Sequence, residues 1–330
     1  MTQQTTGADG HQGGLRVVLW ALAMNLLIAV FKFVAAAISG STAMLAEAVH
    51  SLADTANQVF LLIGIRRSSR PPDALHPFGY GTETYFWAFI VAGSIFLIGG
   101  AVSIWEGAEK LWHLYTGHPV AQGPVRWAII VLVVSLVLES WSLRAALAEF
   151  RHMTRGKGLR KTLEDARDPT VLTVLFEDTA ALFGLVTALV GVSLSRLTGN
   201  PLYDALASVV VGLALLLVAL FLGKDSMSLL IGEAVPKEEH DKIVALAAAH
   251  PGVLEVIHLR TKHIAPREVL ATFKIRFARD LTIDGLEAKI NDLEASLRAE
   301  FQHLRRIYIE PGFDEEKIRR QLGTGPGDLG

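Results

Sequence analysis

The sequence predicts a polytopic α-helical membrane protein, with six transmembrane helices followed by a small α+β cytoplasmic domain of order αββαβ. Three observations predict it. The 330 residues are 51% hydrophobic, with a mean hydropathy of +0.38, above the usual apolar share of a soluble domain. Six apolar stretches each reach the roughly 20 residues that cross a bilayer. After residue 235 these long runs stop, and shorter helical and alternating patterns replace them.

The segment 1–14, "MTQQTTGADGHQGG", is polar and Gly-rich and is expected to be disordered. It has no basic n-region, so no cleaved signal peptide is read, and it is poor in Arg, unlike a transit peptide. The spans fall near 15–39, 43–65, 85–107, 125–149, 171–195 and 204–230, giving a transport domain over 15–233. Only "GST" separates the first two, which implies a tight hairpin. The loops "RRSSRPPDALHPFGYG" and "RHMTRGKGLRKTLEDARDP" are rich in Arg and Lys and the other connections are not, so both are cytoplasmic by the positive-inside rule. An even number of spans then puts both termini in the cytoplasm.

The cytoplasmic domain is read over 234–313. "PKEEHDKIVALAAAH" is an amphipathic helix with Pro236 near its start. "VLEVIHLRTKH" and "EVLATFKIRFA" are strands around the turn "IAPR". In the second, Val269, Ala271, Phe273, Ile275 and Phe277 alternate with Leu270, Thr272, Lys274 and Arg276, as in a sheet covered on one face. "TIDGLEAKINDLEASLRAEF" is a second helix, with Asp284 and Glu287 at capping-box spacing, and "RRIYIEP" is a third strand. Such a unit is marginal alone and is expected to dimerise or lean on the membrane part. The tail 314–330 is expected to be disordered.

Charge and cysteine content narrow the function. A formal net charge of −2 argues against nucleic-acid binding, and the absence of cysteine removes disulfides, thiolate metal sites and a cysteine nucleophile. What remains is a set of acids inside apolar spans, where charge is costly and faces a cavity or a partner. "AEAVHSLADTANQ" places Glu47, His50 and Asp54 in the second span. His50 and Asp54 are four residues apart and share one helical face. "FEDTAALFG" puts Glu177 and Asp178 side by side in the fifth. Glu139 lies in the fourth, with Arg144 nearby as a neutralising candidate, and Asp204 opens the sixth.

An imidazole and carboxylates suit a divalent first-row cation such as zinc. One helix supplies His50 and Asp54, so a second must complete the site, and Glu177 is the natural donor. The same lone pairs bind protons, which gives a physical basis for exchange of metal against protons. A lone membrane histidine is ordinarily a packing residue, but the pairing with Asp54 and the second acidic pair count against that here. Glu47 and Asp204 have the plainer explanation of acids near helix ends. His113, His118 and His152 lie in loops or at span ends and are read as solvated, and His258 and His263 as exposed beside a strand. The basic loop 151–161 reads as a topology signal that touches anionic lipid.

"HSLAD" in the second of six spans, "PPDALHPFGYG" after it and the αββαβ tail resemble the cation diffusion facilitator family from about residue 15 to residue 311. "HSLADTANQ", "RDPTVLTVLFEDTAALFG" and "TGNPLYDALAS" look most like its zinc transporter 9 branch. The resemblance implies a homodimeric metal/proton antiporter whose ion site joins the second and fifth spans. His50 and Asp54 match the second-span ligands. In the fifth span the family has His and then Asp four residues on, and this sequence departs. One frame gives Glu177 with Ala181, the other Val174 with Asp178. Adjacent helical residues diverge by about 100°, so Glu177 is chosen and Asp178 is the second choice. Asp73 and His76 match a second, weak metal site of some relatives, with Tyr80 where another His is often found, and a structural role for "HPFGYG" is the main reading. In the tail domain His258 matches a family ligand position while Lys274 does not, so a dimerisation module with little or no metal is expected.

The residues and the resemblance together lead to an expected efflux of a divalent cation, most simply zinc, as transported substrate rather than cofactor, with protons as counter-ion, in a bacterial inner membrane. Two other classes compete. An intramembrane metallohydrolase would want a motif such as HExxH, which is absent from the sequence. A non-transporting scaffold or metal sensor of the same fold is kept open by the missing fifth-span ligand.

Overall fold

The computed structural model describes residues 5–39, 42–117, 125–154, 169–278 and 280–312. The side chains of Glu47 and His50, the hairpin at 40–41, His118, the loop 155–168 and the tail from 313 lie outside the described residues. The chain divides into two compact units, Met1–Ile231 and Gly232–Gly330.

The first unit is helical. Its elements are α1 (Thr5–Ser39), α2 (Thr42–Ser68), α3 (Glu83–Ser94), a π-helical segment (Ile95–Ala101), α4 (Val102–Tyr115), α5 (Val125–Thr154), α6 (Pro169–Thr198) and α7 (Leu202–Ile231). α3, the π segment and α4 make one continuous rod. Four stretches are long and apolar enough to cross a membrane among the described residues: Leu15–Ala35, Glu83–Tyr115, Thr170–Thr198 and Leu202–Ile231. α2 and α5 are comparably long, but α2 carries Asp54, Asn57, Gln58, Arg66 and Arg67, and α5 carries Ser135, Glu139, Ser142 and Arg144.

Two elements run beyond their expected ends. α1 is helical from Thr5, so most of the segment expected to be disordered continues the span. Extending an existing helix adds one hydrogen bond per residue fixed, whereas starting one does not. α4 likewise runs through Tyr115, which takes His113 into the helix. α2 stops where Ser68 and Ser69 donate back to the carbonyl of Ile65, at 3.0 and 2.8 Å.

An apolar core joins α1, α2, α3, α6 and α7 through Val18, Leu61, Val91, Val174 and Leu222. Elsewhere the backbones themselves meet. A Cβ on Gly107 would sit 2.6 Å from Val209 Cγ2 and 2.9 Å from its backbone nitrogen, and one on Gly212 would sit 2.7 Å from the Ile104 nitrogen. Small residues let the α4 rod and α7 approach this closely.

The second unit contains α8 (Lys237–Ala248), β1 (Val253–Ala265), β2 (Glu268–Phe277), α9 (Ile283–Glu300) and β3 (Leu304–Pro311). The sheet has the order β1-β2-β3, with β1 antiparallel and β3 parallel to β2. Val269, Ala271, Phe273, Ile275 and Phe277 are all buried, and they pack on Ile243, Ala247, Leu293 and Leu297 of the two helices. The α9 cap is Thr282, whose Oγ1 accepts from the Gly285 N–H at 3.1 Å, rather than the Asp284 position that spacing suggested. A hydroxyl before the first turn meets an orphan N–H, which an acid inside the turn does not reach. His263, expected on the surface, is 5% exposed. His303 Nε2 lies 2.9 Å from Glu239 Oε1 and ties the start of β3 to the first turn of α8. That contact, chiefly, holds the Glu239 carboxyl below the ordinary glutamate value.

Two predictions follow from this packing. Gly107→Val should destabilise the protein by about 1–3 kcal/mol through overpacking, whereas Gly93→Ala, with nothing within 4 Å of the added carbon, should be neutral or slightly stabilising. Thermal unfolding in detergent reads both. A depressed carboxyl contributes stability above its ordinary value and loses it as pH falls through the folded value. Hydrogen exchange of the full chain should therefore show 232–312 loosening below the usual glutamate range, and Glu239→Gln should flatten that acid dependence.

Candidate ion-binding site

The second-span motif lies on α2, where 50, 54 and 58 fall at successive four-residue intervals and 57 adjoins them. At about 100° per residue these positions make one stripe. Asp54 is half-buried, and Asn57 and Gln58 are 2% and 0% exposed. The stripe meets α6. Asn57 Nδ2 donates to Glu177 Oε1 at 2.9 Å, and Gln58 Nε2 donates to Glu177 Oε2 at 2.9 Å. Both oxygens of one buried carboxylate are thus met by adjacent amides of another helix.

Asp178 goes elsewhere. It is 1% exposed and accepts from Ser142 Oγ of α5 at 2.8 Å. The divergence of neighbouring helical side chains separates the two acids: Glu177 faces α2 and Asp178 faces α5. Val174, the alternative partner of Asp178, lies fully buried in the apolar core. Ala181 brings no ligand atom.

Glu139 of α5 is also buried, and its field, with those of Asp54, Glu177 and Asp178, forms one interacting set of acids. The expected neutralising residue, Arg144, is exposed. Five helical positions turn a side chain by about 140°, away from Glu139. The buried cation is Lys32 of α1, 5% exposed and interacting electrostatically with Glu139. The stripe Asn25, Ile28, Ala29, Lys32 and Ala35 is the buried face of α1, and Ala35 packs on Val131 of α5.

Sequence reasoning missed Asn57, Gln58, Ser142 and Lys32. A signal existed for three of them. Asn57 and Gln58 follow Asp54 by one turn, and Lys32 interrupts an apolar face of α1. Nothing in the sequence points from Ser142 to Asp178. Among the described residues no three His, Asp or Glu side chains gather as a metal cluster, and His50 falls outside them.

Asp204 and Asp73 are placed outside this set. Asp204 of α7 pairs with Lys110 of α4 at 2.9 Å, with both about one-third exposed, in keeping with an acid at a helix start. Asp73 accepts from the N–H groups of Leu75 and His76, at 3.0 and 2.7 Å, and from Tyr80 Oη at 2.5 Å. The Tyr80 hydroxyl, first, and these N–H groups hold its carboxyl below the ordinary aspartate value. The His76 and Tyr80 rings lie 4.3 Å apart. This is the geometry of a braced turn.

Polar stripes on packed apolar helices thus carry acids toward a common interior. Residues 18–231 match the model of the cation efflux transmembrane domain, and residues 235–311 match that of the cation efflux protein cytoplasmic domain. The chain belongs to the cation efflux family and is a membrane protein. It is 35% identical over 282 residues to the human "Proton-coupled zinc antiporter SLC30A9, mitochondrial", covering 85% of this chain and 48% of that protein. It is 33% identical over 316 residues to "Metal tolerance protein C4" of Arabidopsis thaliana, covering 95% and 67%. The chain thus spans about half the length of the SLC30A9 relatives it matches. A solved MamM CTD chain in a cadmium form aligns with 24% of this chain and 96% of its own length, at 19% identity and a TM-score of 0.22.

Ser142→Ala would leave a buried Asp178 oxygen without its donor, which costs about 1–3 kcal/mol. The expected result is a lower unfolding temperature for the single variant and a smaller combined loss when Asp178→Asn accompanies it, since residues in one hydrogen bond are not additive.

Proposed function

We propose that this chain moves a divalent cation, zinc first, out of the cytoplasm in exchange for protons, and that His50, Asp54 and Glu177 bind the ion. One observation carries the reading: Glu177 meets α2 on the same polar stripe as Asp54, one turn further on. Imidazole nitrogen and carboxylate oxygen match the ligand preference of zinc. Protons and the metal compete for these same atoms, so each releases the other. The names of the relatives, a zinc antiporter and a metal tolerance protein, support the same substrate and coupling.

The reading includes α2 and α5 as the second and fourth of six spans, a transport domain over 15–233 and a dimerising domain over 234–313. It also includes cytoplasmic termini and a bacterial inner membrane as the host. Asp73 and His76 serve the turn rather than a second ion. A second reading, a scaffold or metal sensor of the same fold, is favoured only by Ala181, which leaves the fifth span one ligand short.

Zinc uptake into proteoliposomes under an imposed pH gradient tests the proposal. Wild type should move zinc against proton flow, Asp54→Ala and Glu177→Ala should each lose at least about tenfold in rate, and Asp178→Ala should retain most of it. Loss in Asp178→Ala with retention in Glu177→Ala would exchange the two residues' roles. A wild type that moves no divalent metal would leave the scaffold or sensor.

A further inference from the structure

The proposed site has three side chains from two helices and lacks the second ligand that α6 would bring at Ala181. What stands beside it on α2 is a pair of amides. Asn57 and Gln58 are almost wholly buried, and each spends its NH2 group on Glu177. The acceptor fixes their orientation: a carboxylate accepts and does not donate, so nitrogen must face it and oxygen must face away. Those two oxygens, Asn57 Oδ1 and Gln58 Oε1, are buried and find no donor among the described residues. A buried acceptor left unmet costs about 1–3 kcal/mol, and here two occur on consecutive residues, about one helical turn along α2 from Asp54.

We infer that Asn57 and Gln58 are ion ligands, and that their amide oxygens take the place of the side chain missing at Ala181. The inference deepens the transport reading above and rests on its assignment of the ion to Asp54 and Glu177. The chemistry is consistent. A cation meets the need of both orphan oxygens at once, while the NH2 groups keep Glu177 turned toward α2. The ligand set becomes one imidazole, two carboxylates and neutral oxygens. Oxygen-rich sets favour harder cations, so the site admits manganese more readily than a site of imidazole and carboxylate alone. Two features separate this pair from ordinary packing amides. Both donors converge on one carboxylate, and both acceptors are left over on the same stripe as the acids.

A positioning role through Glu177 and a ligand role of the oxygens predict different results once Glu177 is gone. The test is zinc and manganese binding to the purified full chain in detergent, read by competition with a chelating dye, in the Glu177→Ala background. If the oxygens bind the ion, adding Gln58→Leu or Asn57→Leu weakens the residual zinc affinity by a further factor of about ten, and weakens manganese more than zinc. Gln58→Glu, which keeps an oxygen, retains or tightens binding. If the amides act only by holding Glu177, none of these second substitutions changes the affinity of Glu177→Ala, and the inference is overturned. The three second-site variants are independent, so a misfolded one, seen by size-exclusion chromatography, leaves the others to decide. Wild type that binds zinc but shows no flux refutes the transport reading and leaves the ligand test intact. Wild type that binds neither metal overturns both.

Discussion

A buried carboxylate must be met, and in this protein the way Glu177 is met organises the helical unit. With Asn57 and Gln58 on its two oxygens, α6 is pinned to α2 at one rotation about its own axis. That rotation sends Asp178 to Ser142 of α5 and Val174 into the apolar core. Three helices are thereby oriented by three hydrogen bonds. Their value lies less in net stability, since each bond replaces one to water, than in the penalty for any arrangement that breaks them in a dry interior.

The same interior concentrates charge of one sign. Asp54, Glu139, Glu177 and Asp178 act on one another across α2, α5 and α6. Among the described buried side chains of this unit, Lys32 is the cation, and it interacts electrostatically with Glu139. The proposed ion would bring further positive charge to this set of acids. Low dielectric strengthens such interactions, so the proposed exchange of ion and proton would act on the packing of these helices.

Much of this was legible in the residues. Helical period and hydrophobicity give the rods, and the alternation at 269–277 gives the covered face of β2. The stripe of His50 and Asp54 and the acidic pair on α6 point to the proposed site, because a charge in an apolar helix has few innocent explanations. What resisted was pairing. Arg144 is near Glu139 in sequence and turned away in space, while Lys32 is distant in sequence and buried with it. Spacing along one helix fixes directions on that helix, but which helix lies opposite depends on packing, and Ser142 shows it. The start of α1 and the cap of α9 were misread for a local reason: composition reports preference, whereas an established helix or a hydroxyl two residues upstream decides the outcome.

The π segment at Ile95–Ala101 has an effect on its rod as a whole. In α3 the buried positions Tyr85, Ala88, Val91 and Ala92 recur at α-helical spacing. A π-type turn accommodates more residues than an α-turn, so it acts as a phase slip in that recurrence. Gly100, near its end, and Gly107, seven residues further on, both come against the backbone of α7. One rod thus carries two independent azimuths, one chosen by the neighbours of α3 and the other by the glycine seam. An insertion or deletion among the exposed residues 96–98 would change the angle between them without altering either contact surface, much as resetting a gear changes timing and leaves the teeth intact.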